Sequence, residues 1–259
     1  MSAFDLLRVA KLAADAAGKY LRTVPRPAPD QWTLKASRDF VTGVDRHSET
    51  LIREVLLTET PGATIVGEEL SPDAGASKGL AWIVDPLDGT TNFLHGLPIY
   101  AVSIAAAVDG VLQAGVVLDV VSNACYAASR GNGAWLGTER LHVSRIEEPT
   151  LAMIGTGFPF KDLSRLDEYL LQLARVIAGA SAVRRPGAAS IDLAWVAAGR
   201  YDGFWEQLLA PWDIAAGTLL VREAGGIVTD ASGNQEMVRH TSIVAGSPAM
   251  HSWLMETLA

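Results

Sequence analysis

Two aspartates stand three residues apart in Asp85-Pro86-Leu87-Asp88-Gly89-Thr90-Thr91-Asn92-Phe93, directly after the apolar run Ala81-Trp82-Ile83-Val84. In a regular strand that spacing puts their side chains on opposite faces. Pro86 interrupts regular pairing and Gly89 permits a tight turn, so the two carboxylates can converge. Convergent carboxylates repel unless a cation lies between them, and hard divalent ions such as Mg²⁺ take oxygen ligands. Asp85, Asp88 and the main-chain carbonyl of Leu87 therefore read as a partial ligand shell. If a helix turn follows, the backbone N–H groups of Gly89, Thr90 and Thr91 would meet a phosphate beside the metal. The same residues read equally as a turn with helix-capping hydroxyls.

Two other acidic positions invite the same question. Glu68 and Glu69 follow Ile65-Val66-Gly67, so a carboxylate can emerge at the end of a short strand; a solvated surface pair is the alternative. Asp213, in Pro211-Trp212-Asp213, opens a helix, where an acid either reaches a site or complements the helix dipole. His47, His95, His142, His240 and His251 are scattered without an HExxH pattern and read as surface or capping residues. Arg184 and Arg185 read as a phosphate clamp or as ion-pair partners, and Cys125 as a small buried residue in a strand.

The elements that must position these residues are legible as patterns. Helical periodicity from Phe4 to Leu21 ends before Pro25, Pro27 and Pro29, and a second helix runs from about Asp45 to Leu57. A short strand at Ala63–Val66 is followed by a buried strand that breaks at Pro86. From Ile99 to Val143 strands dominate, and Asp109-Gly110 marks a hairpin within an antiparallel meander. Beyond Pro149, helices from about 165–178, 189–198 and 212–224 alternate with strand patterns, as in layered α/β architecture. The expected organisation is one domain over residues 1–259. Within it, an α+β part with an antiparallel sheet (about 1–145) packs on an α/β part (146–259), with the site in the cleft between them.

Composition narrows the function classes. A chain of 259 residues with 49% hydrophobic and 19% charged residues has material for a large core. Twenty-one Lys and Arg against 29 Asp and Glu leave a net charge of −8, so nucleic acid is not the expected partner, while clustered acids suit a divalent cation that recruits an anionic substrate. A single cysteine excludes an intrachain disulfide and a thiolate-rich zinc site and fits the reducing cytoplasm. No apolar run approaches the roughly 20 residues that span a bilayer, and Asp5, Arg8, Lys11 and Asp15 interrupt the N-terminal helix pattern, so no membrane partner is expected.

Taken together, the sequence resembles the inositol monophosphatase family of metal-dependent, lithium-sensitive sugar phosphatases. The resemblance rests on Gly67-Glu68-Glu69, on Trp82 to Phe93 and on Pro211 to Gly217, in the family's order and spacing. It extends from Val41 to Glu49 near the N-terminus through Thr156 to Phe160 to the segments Arg184 to Glu206 and Leu219 to Asp230. It implies a layered α-β-α-β-α fold and Mg²⁺-dependent hydrolysis of a phosphate monoester, myo-inositol monophosphate first. Histidinol phosphate, fructose 1,6-bisphosphate and 3′-phosphoadenosine 5′-phosphate compete as substrates, and a noncatalytic role as a protein partner in RNA-related processes is the alternative of another class. The resemblance implies two or three Mg²⁺ ions: one held by Glu68, Asp85 and the Leu87 carbonyl, a second by Asp85, Asp88 and Asp213, a weaker third near Glu68, with Li⁺ inhibiting at a Mg²⁺ position. Thr90, paired with Glu68, would orient and help deprotonate the attacking water, supported by Glu69. Lys35, Asp39, Thr42 and Asp45 resemble the family's mobile loop over the metals. Substrate contacts fall by the same resemblance to Asp88, Gly89, Thr90 and Asp213, and for the polyol portion to Gly187, Ala188, Ala189 and Glu206, with Ala188 where many relatives carry Thr or Ser. A homodimer is expected by the same resemblance.

Overall fold

The computed structural model describes residues 1–36, 39–76, 78–160 and 162–259, the side chains of residues 34–40 excepted. In chain order its first half comprises α1 (Ala3–Thr23), β1 (Thr33–Ala36), β2 (Asp39–Val41), α2 (Gly43–Glu59), β3 (Thr64–Gly67), β4 (Leu80–Asp88), α3 (Thr90–His95), β5 (Ala101–Val108), β6 (Val111–Asp119), β7 (Ala124–Ser129), β8 (Ala134–Leu136) and β9 (Glu139–Arg140). The second half comprises β10 (Met153–Thr156), α4 (Leu166–Gly179), β11 (Ala182–Arg184), α5 (Ala189–Ala197), β12 (Gly203–Leu209), α6 (Pro211–Glu223), β13 (Ile227–Thr229), β14 (Thr241–Gly246) and α7 (Pro248–Leu258).

Strands β3 to β9 form a seven-stranded sheet in sequential order, parallel only at β3–β4. Asp109 and Gly110 take positive φ values of 50° and 77°, the backbone that a tight β5–β6 hairpin requires. A five-stranded sheet of mixed direction runs in the order β11-β10-β12-β14-β13.

Side-chain alternation assigns each sheet face a partner. Trp82, Val84, Ile104 and Val116 pack on α1 and α2, while Ile83, Ala105 and Val117 pack with α5 and α6. The far side of α5 and α6 meets Phe204, Ile243 and Ala245, and the outer face of the second sheet packs Trp205 and Val244 on α4 and α7. The layers are therefore α-β-α-β-α. α1 suits its outer position: Leu6, Val9, Ala10, Ala13, Ala17 and Leu21 form one buried stripe, and Ser2 and Asp5 cap its start reciprocally. α5 and α6 lie between two sheets and are buried almost all round. They approach so closely that a Cβ on Gly217 would lie 2.5 Å from Leu193 Cβ. No helix among the described residues is long and apolar enough to cross a membrane.

One strand departs from expectation. β4 does not break at Pro86 but runs on to Asp88. Its register with β5 shifts between Asp85, opposite Ser103, and Asp88, opposite Ala101. A proline has no N–H to give to the ladder, and a bulge is where a sheet tolerates that loss.

Candidate active site

The β4 bulge brings the two aspartates together. Three steps from Asp85 to Asp88 oppose two from Ser103 to Ala101, so the extra residue reverses the alternation and turns both carboxylates to the same face. That face looks toward α5 and α6. Asp88 Oδ2 accepts hydrogen bonds from Ser190 N at 2.8 Å and from the Ser190 hydroxyl at 2.6 Å, tying β4 to the first turn of α5. Asp213 stands in the first turn of α6, and its Oδ2 accepts from Ala210 N at 2.7 Å. Asp85 Oδ1 accepts from Leu87 N at 3.0 Å, across the bulge.

These acids border one cavity of about 400 Å³. The first half contributes Glu68, Asp85, Leu87, Asp88, Gly89 and Thr90 to its wall, and the second half contributes Gly187, Ala189, Asp192, Glu206 and Asp213. Asp85 is 1% exposed. Burial, followed by the charges of Glu68, Asp88 and Asp213, pushes its carboxyl well above the usual range. The donor set consists of carboxylate and carbonyl oxygens, the ligand chemistry that a hard divalent cation takes. Among the described residues no group of three His, Cys, Asp or Glu stands arranged to hold a metal ion by itself.

Helix α2 organises the near wall. Thr42 caps it by accepting from Val44 N at 3.1 Å, while its own N–H and hydroxyl donate to Asp45 Oδ2 at 2.9 and 2.7 Å. Asp45 Oδ1 is then aimed at the Thr90 hydroxyl, 2.9 Å away; that hydroxyl also lies 3.0 Å from the Leu87 carbonyl. Burial raises the Asp45 carboxyl above its ordinary value, against the opposing effect of hydrogen bonds from Thr42 and Thr90.

Several expectations are corrected here. The partner that the structure gives Thr90 is Asp45, not Glu68, because the α2 cap delivers an oxygen to it. Thr42 and Asp45 form that helix cap rather than part of a loop, and the side chains of Lys35 and Asp39 lie outside the described residues. Gly187 and Ala189 line the cavity, but Ala188 is turned away into the core: its methyl packs behind Gly89, whose φ of 87° brings the backbone close. Glu69 contributes its N–H, which donates to Glu49 Oε2 at 2.8 Å. Arg185 lies over the rings of Phe158 and Phe160, 5.2 Å from each centroid, at the cavity wall. His251 is buried in α7 with its ring against the Thr229 hydroxyl at 2.9 Å, and Cys125 is half-buried.

Sequence reasoning missed Asp192 and, on α2, Ser48 and Glu49. Asp192 is 1% exposed, and its Oδ1 finds no hydrogen-bond partner among the described residues. Burial, then the charges of Glu206 and Asp88, hold its carboxyl well above the usual range. A signal existed for the α2 residues: Asp45, Ser48 and Glu49 recur at helical spacing on the face that also carries Val44 and Ile52, so that polar stripe had to be buried.

Comparison with known proteins agrees with this arrangement. The model of the inositol monophosphatase family matches residues 5–259. A Pseudomonas aeruginosa protein named Nus factor SuhB is 45% identical over 258 residues, covering 98% of this chain and 95% of the relative. A Rhizobium meliloti inositol-1-monophosphatase is 43% identical over 259 residues, covering 100% and 97%. The crystal structure of the extragenic suppressor protein suhB from Bartonella henselae superposes with a TM-score of 0.89 at 41% identity, covering 97% of each chain. A match that runs through every layer of the fold and through both walls of the cavity leaves one conclusion: the chain belongs to the inositol monophosphatase family.

Proposed function

We propose that the protein is a Mg²⁺-dependent phosphatase that releases phosphate from a small polyol monoester, myo-inositol monophosphate first among them. The observation that carries this reading is that Glu68, Asp85, Asp88 and Asp213, from distant parts of the chain, line one cavity. Glu68, Asp85, the Leu87 carbonyl, Asp88 and Asp213 would hold the cations. A divalent ion there supplies charge neutralisation at phosphorus and a lowered pKa for water. Thr90, donating to Asp45, keeps its oxygen lone pairs for a water proton and so orients the nucleophile; Asp45 stabilises the charge that develops on the hydroxyl. Gly89, Thr90 and Thr91, where α3 opens, line the cavity, and their amides would receive the phosphate. On the polyol side Gly187 and Ala189 shape the wall, and Glu206 accepts hydrogen bonds from ring hydroxyls. No side chain need form a covalent bond to phosphorus.

The name of the Rhizobium meliloti relative supports the choice of substrate. Phosphate release from myo-inositol monophosphate is expected with Mg²⁺, none after chelation, and inhibition by Li⁺; turnover that persists without any divalent ion sinks the proposal. Specificity constants for histidinol phosphate, fructose 1,6-bisphosphate and 3′-phosphoadenosine 5′-phosphate, run in parallel, decide among phosphorylated substrates. Homodimeric assembly belongs to the same reading, and sedimentation of the purified protein tests it. A second reading, a noncatalytic partner in RNA-related processes, is favoured by the name Nus factor borne by the Pseudomonas aeruginosa relative. Protein partners captured equally by wild type and by the Asp88→Asn variant would support it, since binding then survives loss of turnover.

A further inference from the structure

We infer that Glu49 is a positioning residue that clamps the turn after β3 so that Glu68 is presented to Asp85. The inference rests on the metal-site reading above and deepens it. Glu49 lies one helical turn beyond Asp45 on the buried face of α2, and its side chain is 0% exposed. Its Oε2 accepts from two consecutive backbone N–H groups, Glu69 at 2.8 Å and Leu70 at 3.3 Å. Its Oε1 lies 3.7 Å from Arg53 Nη1, the same nitrogen that donates to the Ser71 hydroxyl at 2.9 Å. Ser71 in turn donates to the Ile65 carbonyl at 2.7 Å, so α2 grips the turn on both sides of Glu68.

Gly67 is part of the clamp. A Cβ there would collide with the Glu49 carboxylate, so the absence of a side chain is what lets the acid reach the turn. Burial disfavours the charge of this carboxylate, while the amides of Glu69 and Leu70 and then Arg53 favour it against a smaller repulsion from Glu68. What the carboxylate provides is geometry: two charge-assisted bonds to adjacent amides fix the backbone that carries Glu68. Neighbouring positions act on the other segments. Ser48 donates to the Pro86 carbonyl at 2.9 Å inside the β4 bulge, and Asp45 holds Thr90. One face of one helix thus sets both the turn after β3 and the run from Pro86 to Thr90.

Mn²⁺ titrations of the purified full chain, read by the electron paramagnetic resonance signal of the free ion, test this without any assay of turnover. Wild type should bind Mn²⁺, and Glu49→Ala should bind it about 10–100-fold more weakly, the cost typical of losing an outer support of a metal ligand. Glu49→Gln, which keeps an acceptor oxygen but not the charge, should stay within about threefold of wild type, as expected where hydrogen-bond geometry matters. Hydrogen exchange at the amides of Glu69 and Leu70 should speed up in Glu49→Ala and not in Glu49→Gln. Gly67→Ala should weaken Mn²⁺ binding with Glu49 still present, and it decides the matter if Glu49→Ala does not fold. Wild-type affinity in both Glu49→Ala and Gly67→Ala, or equal weakening by Glu49→Gln and Glu49→Ala, overturns the clamp while leaving the metal site standing. A wild-type protein that binds no Mn²⁺ overturns the metal reading and the clamp with it.

Discussion

The Thr90 hydroxyl donates to Asp45 Oδ1 at 2.9 Å, joining the first residue of α3 to a carboxylate 45 positions earlier whose other oxygen completes the cap of α2. One aspartate therefore holds a helix end and orients a hydroxyl at the cavity. Removing the hydroxyl in Thr90→Ala should lower kcat by about 10²–10⁴-fold, the range of a lost general-base relay, with Thr90→Ser recovering most of it. Steady-state kinetics at saturating Mg²⁺ make the comparison; equal kcat values for Thr90→Ala and wild type would remove Thr90 from the reaction.

Asp88→Asn separates charge from architecture. Asn can present a carbonyl oxygen to the Ser190 N–H and hydroxyl, so the tie between β4 and α5 survives. The charge that would face the proposed cation is gone. Turnover should fall by more than about 100-fold, beyond the range typical of outer supports, with an unaltered circular dichroism spectrum. Retained activity would take Asp88 out of the proposed ligand set.

Gly157→Ala probes the polyol side. A Cβ on Gly157 would meet the carboxylate of Glu206, so the substitution should displace Glu206 from the cavity wall. KM for a polyol phosphate should rise about 10-fold or more, in line with the loss of one or two hydrogen bonds, while an aryl phosphate without ring hydroxyls changes little. A uniform loss on both substrates would mean that Glu206 does not read hydroxyls.

Asp192 provides a test by pH. Its carboxyl is held well above the ordinary value of 3.8 in the folded protein. Where both states are protonated the group makes no difference; as pH rises from the unfolded value through the folded one, ionisation opposes folding and stability is lost. Asp192→Asn lacks that loss. Its melting temperature relative to wild type should therefore be more favourable at about pH 8 than at about pH 4, measured without divalent ions. A difference that is constant with pH would mean that Asp192 keeps an ordinary pKa.

The sequence alone carried the local features. The stripe of Leu6, Val9, Ala10, Ala13 and Ala17, the Asp109-Gly110 hairpin and the apolar run of β4 follow from periods of 3.6 and 2 and from turn chemistry that neighbouring residues decide. The run from Asp85 to Thr91 was legible as a candidate site for the same reason, since the chemistry it offers is written within a few residues. Tertiary structure alone decided how distant groups meet. Which residue faces Thr90, why Gly67 must lack a side chain, and that Asp85 and Asp88 share a face after Pro86 all depend on α2 lying under the sheet and on β5 fixing the register. Hydrogen bonds and buried charges act over a few ångströms of space, whereas sequence patterns report only the order in which the chain supplies its groups.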